Sequence, residues 1–212
     1  MKTKLKMVYN PFEKFAGWKA FGIGLIILLI ATIIGYFGNT VFFGISVKTV
    51  PEVTWNKAFL LQGLGLAVIV LVMWLIALLS AKHVRFQDIL GTVTLAKYPL
   101  IFASVLFWVF GKPFIELSMK MIESLNDLSI SLNPKDSIQE SMNIFSGFTI
   151  SDYLILGFLS IVSLSLIVWT IALLYNAFRV STNLKGAKCV VLFITILIIS
   201  EIITNVIISI IY

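Results

Sequence analysis

Apolar residues come in long runs, and charged residues stand between them. Four intervals free of Asp, Glu, Lys and Arg cover 20–47, 58–81, 98–111 and 153–178; a fifth, 189–212, is interrupted once, by Glu201. A helix crossing a hydrocarbon core of about 30 Å needs about 20 residues, so every run except the third is long enough by itself. Lipid offers no partner to backbone N–H and C=O groups, so these runs are predicted to be helices. The apolar–polar alternation of a barrel strand is not the pattern here. The expected fold class is therefore all-α, a polytopic integral membrane bundle of about five transmembrane helices. Its spans are placed at 20–43, 58–81, 96–112, 153–178 and 189–211 within a single transmembrane domain, 20–212, preceded by an arm, 1–19.

The third run has only 14 residues, which at about 1.5 Å per residue cover roughly two thirds of the core. Upstream of it, Phe86, Ile89, Leu90 and Val93 recur at helical spacing beside Arg85, Gln87 and Asp88, the pattern of an amphipathic helix. Downstream, Pro113 precedes Phe114, Leu117, Met121, Leu125 and Leu128, with Glu116 and Lys120 four residues apart. Prolines at both ends predict a bent third segment: an interfacial helix, a short span, then an outer amphipathic helix and loop covering 113–152. Ser, Asn, Asp and Gly concentrate in 129–151, which reads as the one long loop, and Ser151 or Asp152 is suited to cap the helix after it.

Composition agrees with a lipid setting. Hydrophobic residues make up 59% of the 212, charged residues only 12%, and the mean hydropathy is +1.04; a soluble domain carries about 25% charged residues. The net charge of +6 sits in short clusters at the ends of runs, which excludes a nucleic-acid surface and serves instead as a topology signal. Eleven Lys and Arg lie on the side of the N-terminal arm and five on the other, while seven of the carboxylates outside the spans fall on the second side. Basic residues favour the cytoplasm. The N-terminus is thus expected in the cytoplasm and the C-terminus outside, in a bacterial inner membrane. Lys2, Lys4 and Lys6 precede the first run as in a signal peptide, but that run is too long and lacks a small-residue exit, so it reads as a retained span.

Enzyme chemistry finds no support. His83 is the only histidine, which excludes two-histidine metal motifs; it sits beside Lys82 and Arg85 as an interfacial residue. No catalytic, cofactor-binding or metal-binding residue is expected. Cys189 is the single cysteine and reads as a small apolar residue near a membrane edge. Gly22 and Gly24, Gly63 and Gly65, and the stripe Ala31, Gly35, Asn39 suit close helix packing. Two polar residues rise above this background. Glu201 lies mid-run with Asn205 one turn on, and an intramembrane carboxylate is costly enough to count as a functional candidate; facing inward, it is expected to bond the Asn205 amide. Lys97 either snorkels to the near surface, the default, or pairs with Glu201.

Three stretches together carry a resemblance: Asn10-Pro11-Phe12-Glu13-Lys14-Phe15; His83 through Gly91 with Phe86, followed by Ala96-Lys97-Tyr98-Pro99-Leu100; and Trp169, Ala177-Phe178-Arg179 and Lys185-Gly186-Ala187-Lys188. In order and spacing they resemble the bacterial branch of the Yip (Ypt-interacting protein) family, with Phe86, Tyr98 and Pro99 marking the approach to the third span. The resemblance implies five helices and a cytoplasmic N-terminus, and gives no catalytic residue to carry over. Eukaryotic members act in vesicle traffic with small GTPases through longer arms; the arm here is too short to carry that role across. The expected function is that of a non-enzymatic membrane-organising or partner-binding protein, its partners the lipid bilayer and other membrane proteins or copies of itself. The competing reading is a small transporter or channel for protons, ions or a small solute, using Glu201, Asn205 and Lys97.

Overall fold

A computed structural model describes residues 10–49, 54–81, 83–130 and 149–211. Among the described residues six α-helices carry the fold: α1 (Gly17–Phe37), α2 (Trp55–Ser80), α3 (Phe86–Ala96), α4 (Leu100–Ile130), α5 (Ile150–Thr182) and α6 (Gly186–Ile211). With α3 and α4 counted as one interrupted segment, five are long and apolar enough to cross a membrane. The all-α, five-span class expected from the sequence is what is found.

The first difference lies after α1. Its 21 residues already reach about 30 Å at 1.5 Å each, and the helix stops at Gly38, with Asn39 left-handed at φ 49. The rest of the apolar run is no helix. It forms an antiparallel hairpin, β1 (Thr40–Phe43) and β2 (Ser46–Thr49), in the register Thr40↔Thr49 to Phe43↔Ser46. Gly44, at φ +62, takes the first position of the two-residue turn, where a tight hairpin needs positive φ. The hairpin is not on the surface: Thr40 to Ile45 are all buried. Non-helical backbone at membrane depth is tolerable only inside protein, and here α1, α2 and α4 all pack on β1.

The third segment is the second difference. α3 is no interfacial helix but the centre of the bundle, with Ile89 and every residue from Gly91 to Ala96 buried. Of the window that crosses the membrane, 56% is buried in the third segment and 11% in α5. The Thr side chains of α3 read as polar in sequence, yet Thr92 and Thr94 donate to the main-chain oxygens of Asp88 and Leu90 (2.7 and 2.6 Å), so burial leaves their hydroxyls satisfied. The bend at 97–99 is present, and Pro99 sits where the chain restarts into α4. At Pro113, where a bend is expected, α4 continues from Leu100 to Ile130, so the outer amphipathic helix is a continuation of the span. Most of the 129–151 loop lies outside the described residues. α5 is capped by Thr149 rather than Ser151 or by Asp152 alone; the Thr149 main-chain N–H donates to Asp152 Oδ2 (2.9 Å) while the Asp152 N–H reaches back to Thr149 Oγ1 (3.4 Å).

Packing on α1 relies mainly on small residues. On α1 the inward set is Ala20, Gly24, Leu28, Ala31, Thr32 and Gly35. Gly24 lies so close to α3 that a Cβ there would stand 2.6 Å from Leu95 N. The arm also joins the core: Pro11–Glu13 form a 3-10 turn, and Phe12 is 2% exposed among α2, α3 and α5 residues.

Candidate functional site

The hairpin tip and α6 meet around Glu201. The carboxylate accepts the Ile45 main-chain N–H at Oε1 (3.1 Å) and the Ser46 hydroxyl at Oε2 (3.1 Å). Without it the turn would bury an N–H with no ladder partner, since a two-stranded hairpin has unpaired edges. Glu201 therefore points toward the protein, as expected, but its hydrogen bonds come from a hairpin that the apolar run did not announce. Asn205 Nδ2 donates to the main-chain oxygen of Glu201 (2.9 Å), so this amide braces the helix rather than serving only the acid group. Thr204, one turn from Ser200, donates to its carbonyl and lies against Gly44.

Lys97 corrects the snorkelling default. It is 1% exposed, at the C-cap of α3. The 11 residues of α3 rise about 16 Å at 1.5 Å each, roughly half the hydrocarbon core, so a side chain buried there does not reach a membrane surface. Two features suit a cation at that point. The C-terminal end of a helix carries partial negative charge, and the Glu201 carboxylate acts on the Lys97 ammonium electrostatically. The sequence's two intramembrane candidates thus influence each other electrostatically, Lys97 from within the bundle and Glu201 from its partly buried place at the groove. Also on the facing helices α2 and α6, Gln62 Oε1 and Ser200 Oγ are buried without a hydrogen-bond partner.

A cavity of about 790 Å³ adjoins Glu201. α5 and α6 meet near their shared link, where Tyr175 and Phe178 lie against Phe193 (ring centroids 5.4 and 6.4 Å), and the cavity lies beyond those contacts. Ile167 and Ile171 form one wall, Leu197, Ile198, Ile202 and Val206 the other, and Ile45 and Ser46 of the hairpin lie at its base with Glu201 and Asn205. The result is an apolar groove with a small polar floor. Both walls continue into exposed apolar surface, with Ile198 at 55% and Val168 at 58%.

Phe86, Tyr98 and Pro99 have structural places. Phe86 opens α3 and meets Trp74 edge-on (5.2 Å), and Tyr98 meets Trp169 edge-on (5.2 Å), with Phe102 stacked on the same indole (5.9 Å). None of the three lines the groove. Among the described residues no cluster of three or more His, Cys, Asp or Glu could hold a metal. Sequence reasoning missed Ser46 and Ile45; the signal available was the turn Gly44 between Val41-Phe42-Phe43 and Ser46-Val47. No protein-family model, no curated protein and no solved structure matches the chain.

Proposed function

We propose that this is a non-enzymatic membrane protein that binds a partner's membrane-embedded segment in the groove between α5 and α6, a member of the membrane-organising class that the Yip resemblance suggests. The observation that carries the reading is the groove itself: two adjacent helices held apart, an apolar wall on each, and one carboxylate at the floor. Glu201 uses two of its acceptor positions on the hairpin, and a carboxylate has about four, so a donor carried at mid-depth by the incoming segment has a place to bond. The juxtaposition of Tyr98 with Trp169 supports the family assignment, because it joins two of the stretches on which the resemblance rests. The excess of Lys and Arg on one side supports a cell-membrane protein with a cytoplasmic N-terminus.

A photo-crosslinking residue at Ile171, in the full-length protein in its own membrane, tests this. The expected result is a discrete protein adduct that disappears when Ile202→Trp fills the groove and that is not formed from Leu79, which is 89% exposed on α2. Lipid adducts alone from Ile171 would remove the basis for the proposal.

A second reading, proton or ion passage, is favoured by one specific observation: a buried Lys97 at the break between α3 and α4, on which the Glu201 carboxylate acts electrostatically; discontinuous segments at mid-membrane often hold transported ions. Liposomes containing the protein should then conduct protons or cations, and Glu201→Gln should fold yet stop the flux. Flux equal to that of protein-free liposomes refutes passage.

A further inference from the structure

A second cavity, of about 340 Å³, lies at the C-terminal end of α5. Its lining brings together Asn10 from the arm, Asn176 and Arg179 from the last turns of α5, and Asn183 and Lys185 from the link to α6. The setting differs from the groove in every respect. Two cations and three amides line it, and no carboxylate does. It sits where a membrane-spanning helix ends, at the level of lipid headgroups. The fold builds this concavity for stated reasons. Asn183 turns the chain out of α5 in a left-handed conformation (φ 56), Gly186 at φ +69 starts α6 immediately after, and the buried Phe12 ties the arm down so that Asn10 closes the remaining side.

From this we infer that the pocket binds a phosphate group. Arg179 offers a planar fork of donors matched to phosphate oxygens, Lys185 adds a second charge, and the amide groups supply neutral hydrogen bonds at the rim. Basic pockets between transmembrane helices are a recurrent setting for anionic headgroups. Two sources share this chemistry, the phosphodiester of an anionic phospholipid and free phosphate, and the experiment separates them. The site is independent of the α5–α6 groove and of the function proposed for it.

The thermal midpoint of the full-length protein in neutral detergent would be followed on adding phosphatidylglycerol, phosphatidylcholine, inorganic phosphate, or chloride at matched ionic strength. Phosphatidylglycerol is expected to raise the midpoint and phosphatidylcholine is not; a rise with inorganic phosphate beyond that with chloride assigns the free anion as well. Arg179→Gln and Lys185→Gln should each lose most of the rise while the ligand-free midpoint stays near the wild-type value. Both side chains are exposed, and if the arginine variant fails to fold, the lysine variant alone carries the test. Lys112→Gln, an exposed cation on α4 outside the pocket, should keep the full response. No rise with either phosphate compound, or an equal loss in the Lys112 variant, overturns the proposal.

Discussion

Gly65→Ala is expected to cost the protein several times more stability than any effect of Gly63→Ala, two residues away on the same helix. An added Cβ at Gly65 would fall on the main-chain nitrogen of Gly44 and close to Phe43 C at 3.2 Å, whereas at Gly63 nothing lies within 4 Å. The atoms met at Gly65 are backbone atoms of a buried turn, so no flexible side chain can give way. Forced repacking of this kind costs about 1–3 kcal/mol or more, set against a helix-propensity gain of about 1 kcal/mol that both substitutions share. Gly63→Ala should be neutral or slightly stabilising. Denaturation by SDS of the two variants, reconstituted identically, decides the matter; equal midpoints would mean that the hairpin turn does not seat on α2. Gly91, whose Cβ would strike Gly17 O, should behave like Gly65.

The second large effect concerns Glu201, where the chemistry of the replacement should matter more than its size. Glu201→Leu leaves the Ile45 N–H and the Ser46 hydroxyl without their acceptor, and an unmet buried donor costs about 1–3 kcal/mol. Glu201→Gln keeps a carbonyl oxygen for the Ile45 N–H, and the Ser46 hydroxyl can rotate to accept from the new amide, so it should be the milder change by at least one unmet hydrogen bond. Both remove the charge that acts on Lys97. Lys97→Met should therefore be less harmful in the Glu201→Gln background than in the wild type, with a coupling of about 0.5–3 kcal/mol in a double-mutant cycle. Additive losses would mean that the two charges ignore each other, and a leucine variant as stable as the glutamine one would mean that Glu201 does not hold the turn.

What could be read in advance divides along a physical line. Hydropathy reports whether a segment meets lipid or protein interior, and those two environments select the same residues. The run 20–47 was therefore legible as membrane-buried but not as a helix followed by a hairpin; only Gly38-Asn39, the β-branched and aromatic Val41-Phe42-Phe43 and Gly44 carry that distinction. The same ambiguity hid α3. Its polar-looking threonines bond their own helix, so the pattern Phe86, Ile89, Leu90, Val93 suggested a polar face along the whole helix, whereas the part from Gly91 to Ala96 is buried on every side. Pro99 was a sound marker because it restarts a helix, where its missing N–H is harmless; Pro113 marks no helix end, since α4 continues through it. Glu201 stood out from sequence, since a carboxylate in lipid needs a partner. The partner itself was not legible, because it is main chain from a distant segment. Lys97 was misjudged for a related reason: snorkelling depends on distance to a surface, and that distance is set by the buried position of α3.

Those distant hydrogen bonds also bear on how the chain is made. Ile45 and Glu201 are 156 positions apart, and Ser46 and Glu201 are 155. A ribosome finishes the hairpin long before it starts α6, so the newly made turn has no acceptor for its Ile45 N–H while four helical segments are still being delivered to the membrane. Until the last helix arrives, residues 40–49 take up their final depth only at the cost of an unmet polar group, about 1–3 kcal/mol. The hydrogen bonds of an early segment are thus completed only by the last helix, and α6 works as the keystone of the hairpin.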